Sequence, residues 1–240
     1  MNMMGGKHSS ALASTLAKCY KEVVWILLEK GADVNFVGGK YGSALVSALD
    51  RSHEDVMQIL LNNGADVNMM GEKHGSTLAS ASAKGYKKVM QILLDKGADV
   101  NMAGGHHCSA LGSALAFGHE QIVWIVLKNG ADVNLAGEKY GSALASASAE
   151  GYKEVVQILL ENGAEVNVMG GKYGSALASA SAEGYKGVMQ ILPEKGAEVN
   201  MMGGGHSSAL ASASACGHED IVEILFENDA DVNMLGGILQ

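Results

Sequence analysis

The chain has 240 residues, 48% of them apolar, which is ample material for a buried core. Its formal net charge of −9 argues against wholesale binding to nucleic acid or to an anionic membrane. Apolar runs such as Val23 to Leu28 are far too short to span a bilayer, and Met1 to Gly6 does not read as a secretory leader.

One phrase, Gly-Ala-Asp/Glu-Val-Asn, recurs along the chain. Its last residue falls at Asn35, Asn68, Asn101, Asn134, Asn167, Asn200 and Asn233, always 33 residues apart. The final copy opens Asp229-Ala230 in place of Gly-Ala, and Asn2 fits the same register. A strict period of this length predicts stacked units whose core grows by addition, in one array over 1–240. The units run approximately over 5–37, 38–70, 71–103, 104–136, 137–169, 170–202 and 203–235.

The second unit shows the expected order of elements. Gly38 to Gly42 reads as a glycine-rich turn or hairpin finger. Ser43 is placed to cap a short Ala/Ser-rich helix reaching about Arg51, followed by a break at Ser52. In other units that break falls on Gly85, Gly118, Gly151, Gly184 and Gly217. A second helix starts at His53-Glu54-Asp55, where acidic residues suit the N-terminal dipole. Val56, Ile59 and Leu60 mark its expected buried stripe, and Gly64 its left-handed C-cap.

The fifth unit carries the run Gly151-Tyr152-Lys153-Glu154-Val155-Val156-Gln157-Ile158-Leu159-Leu160-Glu161-Asn162-Gly163-Ala164-Glu165-Val166-Asn167. This resembles the ankyrin repeat, Gly-His-x-x-Val-Val-x-Leu-Leu-Leu-x-x-Gly-Ala-Asp-Val-Asn, and the likeness covers essentially the whole chain. The first helix departs: the family's Thr-Pro-Leu-His-x-Ala-Ala reads Ser142-Ala143-Leu144-Ala145-Ser146-Ala147-Ser148, without the proline and histidine. The resemblance implies an all-α solenoid of seven 33-residue helix-turn-helix units with glycine-rich hairpin fingers. The Gly-Gly-x-Tyr-Gly-x-Ala-Leu variant is similar to arrays at the C-termini of filamentous-fungal signalling proteins, including NLR-like receptors.

Irregular positions stand out because the rest is uniform. The fifth and sixth units differ at six positions, one of them Leu160 against Pro193. Interior proline and Gly187 make the sixth unit the expected soft point. The fourth unit is the chemical outlier, with His106-His107-Cys108 in its finger, Phe117 ending its first helix and Trp124 in its second. By family resemblance, fingers and first helices form the concave face. There the small Ala/Ser side chains are expected to pack tightly, while any that face out would leave an open groove lined with hydroxyls.

A ladder of rings follows the fingers: His8, Tyr41, His74, His107, Tyr140, Tyr173 and His206, beside Lys7, Lys40, Lys73, Lys139 and Lys172. Rings with polar tips suit interfaces, and a one-sign lysine row suits an acidic segment. A second ladder, Tyr20, His53, Tyr86, His119, Tyr152, Tyr185 and His218, takes the family's position for a clamp between helices. Methionines such as Met69, Met169 and Met201 read as packing at the hairpin base.

Catalytic-looking Ser, His and Asp groupings recur with the period, which points to structure rather than chemistry. His106-His107-Cys108 lacks a partner cluster at zinc spacing, so neither metal nor cofactor is expected. Cys19, Cys108 and Cys216, odd in number and widely spaced, suit a reducing, cytoplasmic setting. The expected function is a non-catalytic scaffold binding a protein or peptide partner, with neither nucleic acid nor membrane involved. The surface comprises Lys40, Tyr41, Arg51, Lys73, His74, His106, His107, Phe117, Lys139, Tyr140 and Tyr173. Two alternatives accompany it. One is a small-molecule or enzymatic site around His74, His107, Phe117 and Tyr140 with His/Tyr acid–base chemistry. The other is a structural array, designed or excised from a larger protein, that self-associates through uncapped ends.

Overall fold

A computed structural model describes residues 11–16, 20–37, 43–71, 75–103, 109–135, 141–203 and 208–233. The chain divides into two compact units, 1–131 and 132–240. In the first, helices alternate short and long: α1 (Ala11–Leu16), α2 (Lys21–Glu29), α3 (Ala44–Asp50), α4 (Glu54–Asn62), α5 (Thr77–Ala83), α6 (Lys87–Asp95), α7 (Ala110–Ala116) and α8 (Glu120–Lys128). The second unit continues with α9 (Ala143–Ala149), α10 (Lys153–Glu161), α11 (Ala176–Glu183), α12 (Lys186–Glu194), α13 (Ala209–Cys216) and α14 (Glu219–Glu227). Odd-numbered inner helices stack on one another, α1 to α7 in the first unit and α9 to α13 in the second, and each packs on its own outer helix. One finger contributes a two-residue antiparallel ladder, β1 (Met70–Gly71) on β2 (Gly75–Ser76).

The inner helices from α3 to α13 start alike because each has serine at its N-cap. Ser43 Oγ accepts from Val46 N–H, and Ser76, Ser109, Ser142, Ser175 and Ser208 repeat the bond three residues downstream. Such a cap satisfies one of the four orphan donors of a helix start, worth about 1 kcal/mol. Every residue of α5 is buried, as are 176–182 of α11. The Ala/Ser surface is therefore the packing layer between units, and the open hydroxyl-lined groove is not formed by these helices. Ser179 and Ser181 spend their hydroxyls on the carbonyls of Ser175 and Leu177.

The outer helices bury a wider stripe than expected. In α4 it comprises Val56, Met57, Leu60 and Leu61, while Ile59 is only half-buried. An outer helix is packed by its own inner helix and by neighbouring units on both sides, so its apolar arc exceeds the narrow i, i+3, i+4 stripe.

The recurring asparagine joins one unit to the next. Asn167 Nδ2 donates to the Gly196 carbonyl at 3.0 Å, and Glu198 N–H donates to Asn167 Oδ1 at 2.9 Å. Asn35 bridges Gly64 and Asp66 in the same way, as do Asn68 for Gly97 and Asp99, Asn134 for Gly163 and Glu165, and Asn200 for Asp229 and Asp231. Where the phrase holds Asp, its carboxylate also accepts from the asparagine's own N–H, as Asp66 does from Asn68 at 2.8 Å.

Rings at the start of the outer helices form a second bridge between units. His119 Nε2 lies 3.2 Å from the Ala83 carbonyl and His218 Nε2 lies 3.0 Å from that of Ala182, each in the preceding unit. The ring lies over the preceding break: a Cβ on Gly151, whose φ is +73°, would meet the Tyr185 ring at 2.5 Å. Glycine is required there twice over, by its left-handed backbone and by the ring. Ser52 holds the same place with φ +63°, and its hydroxyl bonds that of Tyr86. The expected clamp between helices thus reaches across units. At the hairpin base Met169 Cε fills the space where a Cβ on Gly203 would lie.

Pro193 sits inside α12 without ending it; Gly196 N–H still reaches the Pro193 carbonyl at 3.0 Å, as Gly163 reaches Leu160 at 3.1 Å. What is missing is the proline's own N–H, a loss of about 3 kcal/mol for an interior proline relative to alanine. Pro193→Leu is expected to raise the thermal midpoint by roughly 5–10 °C, the scale for a chain this size; calorimetry showing no rise contradicts the assignment. Asn167→Ala removes both bridging bonds and is expected to cost about 1–2 kcal/mol, read from urea unfolding.

Candidate interaction surface

The finger at 170–174 lies among the described residues. Gly170 N–H donates to the Gly174 carbonyl at 2.7 Å, closing a hairpin that carries Lys172 and Tyr173 at its turn. Consecutive fingers touch backbone to backbone, since a Cβ on Gly141 would fall 2.6 Å from Gly170. That closeness explains glycine at the finger base and fixes each tip relative to the next.

From this tip Tyr173 lies back along its inner helix. Its hydroxyl donates to Glu183 Oε1 at 2.6 Å, at the last residue of α11, and accepts from Lys172 Nζ at 2.7 Å. Lys172 Nζ also stands 4.4 Å from the ring centroid, a cation–π arrangement. The Glu183 carboxylate, holding the phenolic proton, raises Tyr173 above the ordinary tyrosine value, while Lys172 pulls the other way.

Glu183 has register equivalents in the other units: Arg51, Lys84, Phe117, Glu150 and Cys216, with Lys18 of the first unit outside the described residues. Each described member ends or immediately follows an inner helix. Arg51, Phe117 and Cys216 are exposed, and Lys84 and Glu150 are half-buried. Two of the expected partner-binding residues, Arg51 and Phe117, thus belong to the same column that Tyr173 reaches in its own unit. Lys40, Tyr41, Lys73, His74, His106, His107, Lys139 and Tyr140 lie outside the described residues. The column went unrecognised as a set in the sequence. Its signal was there: a position that changes from basic to aromatic to acidic while its neighbours repeat.

Two recesses lie away from this column. One, lined by Gly85, Lys87, Gly118, His119, Glu120, Gln121 and Ile122, has a volume of about 320 Å³ and opens beside the breaks between helices. A similar one borders Lys21, Ser52 and His53 to Val56. No group of three or more His, Cys, Asp or Glu residues converges as a metal site among the described residues, and no helix there is long and apolar enough to cross a membrane.

Glu183→Gln is expected to lower the titration midpoint of Tyr173, because the carboxylate is the main force raising it. Tyrosine-resolved NMR across the alkaline range reads this directly, and an unmoved midpoint removes the Tyr173–Glu183 contact from the account.

A family profile described as ankyrin repeats, in three copies, matches residues 10–104, 103–170 and 147–235. Among solved structures, the crystal structure of the human ASB11 ankyrin repeat domain matches with a TM-score of 0.73 and 25% identity, over 92% of this chain and 99% of that one. No curated protein matches the chain. With short and long helices paired at a regular interval and an asparagine bridge that recurs with it among the described residues, this chain belongs to the ankyrin repeat family.

Proposed function

We propose that this chain is a non-catalytic scaffold that holds a protein or peptide partner on its finger and first-helix surface. Ankyrin repeats are generally protein-interaction modules. The observation that carries the reading here is the contrast within each unit. Positions that face another unit repeat almost without change, whereas the helix-end column is basic at Arg51 and Lys84, aromatic at Phe117, acidic at Glu150 and Glu183 and a thiol at Cys216. Stacking between units needs uniformity, whereas a surface that distinguishes one partner from another needs positions that differ from unit to unit.

The partner surface comprises the finger residues Lys40, Tyr41, Lys73, His74, His106, His107, Lys139, Tyr140 and Tyr173 together with Arg51 and Phe117. Aromatic rings with polar tips supply contact area, and the lysines favour an acidic segment. Because the inner helices are locked by burial, little ordering cost falls on the scaffold when a partner docks.

The test is affinity capture with the chain as bait, comparing it with a variant in which Tyr41, His107 and Phe117 are all alanine. A partner retained by the parent and lost by the variant, with helical content unchanged, supports the surface. Equal retention by both places the binding elsewhere.

A further inference from the structure

The two recesses beside the breaks between helices are the same place two units apart. Lys21, Ser52 and Asp55 border one, and their register equivalents Lys87, Gly118 and Gln121 border the other. Their volumes are close, about 360 and 320 Å³, but their charges differ.

The first recess is neutralised from within. Lys21 Nζ reaches Asp55 Oδ2 in the next unit at 2.8 Å, and Lys186 makes the same bridge to Asp220 at 3.1 Å. In the second recess the place of Asp55 is taken by Gln121, an uncharged amide, and Lys87 has no ion-pair partner among the described residues. The neighbours widen the contrast. Glu22 follows Lys21, whereas Lys88 follows Lys87, so α6 opens on two cations with no acid in its first turn. Cations at a helix start oppose its dipole, and an anion beside them relieves this. Glu54 and Glu120 hold equivalent places in the two linings. The first recess thus carries an excess of negative charge and the second an excess of positive charge, in a chain whose net charge is −9.

One turn beyond Gln121, on the same outer face of α8, Trp124 is 57% exposed. Its register equivalents are Trp25 and the exposed Gln58, Gln91, Gln157, Gln190 and Glu223. Stacking therefore asks nothing apolar of this position. A large ring left in water beside an unpaired ammonium has the composition of an interface anchor.

We propose that the recess at Lys87 and Gln121 docks an acidic peptide segment, whose Asp or Glu carboxylate pairs with Lys87 and whose neighbouring apolar side chain covers Trp124. The carboxylate takes the place that Asp55 and Asp220 hold at the equivalent positions, so the partner completes a pair that the chain elsewhere makes for itself. This surface lies on the outer helices and is separate from the finger and first-helix surface proposed above.

Proton–nitrogen NMR of the full chain reads the contact through its two indole N–H groups, Trp124 at the site and Trp25 as the control. The probe is a short Gly/Ser peptide with an Asp-Asp-Leu core, compared with an Asn-Asn-Leu version. The acidic peptide is expected to shift the Trp124 signal saturably while Trp25 stays in place, and the Asn version to bind several-fold more weakly. Added salt is expected to weaken only the acidic peptide. Lys87→Gln is expected to reduce its affinity to that of the Asn version. Gln121→Asp provides the carboxylate from within, as Asp55 does for Lys21, and is expected to have the same effect. Circular dichroism checks that each variant is folded, and the comparison of the two peptides needs no variant. Equal binding of both peptides, acidic-peptide binding unchanged in either folded variant, an equal shift of Trp25, or no shift of Trp124 at millimolar peptide overturns the proposal. None of these readouts involves the finger residues, so such a failure leaves the scaffold reading to its own test.

Discussion

Everything in this fold depends on one side-chain amide spanning two units. At Asn35, Asn68, Asn134, Asn167 and Asn200 the asparagine that closes the Gly-Ala-Asp/Glu-Val-Asn phrase donates a hydrogen bond to the carbonyl 29 residues ahead and accepts one from the N–H 31 residues ahead. An amide has both functions a fixed short distance apart, so a single inserted residue breaks both bonds at once. This explains why the 33-residue beat does not slip. The aromatic ladder adds a second constraint, since the rings of His119, Tyr185 and His218 each need a residue without a Cβ at the break 34 residues behind, where Tyr86 meets the small hydroxyl of Ser52.

Those two bridges determine what the remaining residues are free to do. Inner helices brought close by the ladder have room only for Ala, Ser and an occasional larger residue, and α5 and α11 are buried almost throughout. Finger bases meet at Gly141 and Gly170 with no space for a side chain. Chemical individuality is left to finger tips and to helix ends such as Phe117 and Glu183. The Tyr173–Glu183 bond shows how these two sets meet. A ring at the tip folds back along the helix and reaches the column where the units differ from one another.

Much of this was legible in the residues themselves. Ser43 as N-cap, Gly64 as left-handed C-cap and the break at Ser52 are local chemistry, and the structure has each of them. Contacts between units were harder to read. Periodicity within α4 pointed to Ile59, whereas burial favours Met57 and Leu61, because cover comes from neighbouring units that a single helix pattern does not represent. The Ala/Ser helices allowed either close packing or an open groove, and their near-complete burial decides for packing. The asparagine marked the period, yet its partners 29 and 31 residues away are invisible to any local rule. Arg51 and Phe117 were picked out for their deviation and prove to share a column with Glu183. For the finger residues from Lys40 to Tyr140 the sequence remains the sole basis of the proposal.

Amide hydrogen exchange at the acceptor end of the bridge tests the central claim most directly. The N–H groups of Asp66, Asp99, Glu165, Glu198 and Asp231 sit in exposed loops, and each is held by the asparagine of the preceding unit. The account predicts that these five exchange far more slowly than unstructured amides, and that Asn167→Ala releases Glu198 first. Exchange of all five at the rate of an open loop, in a folded chain, would contradict it.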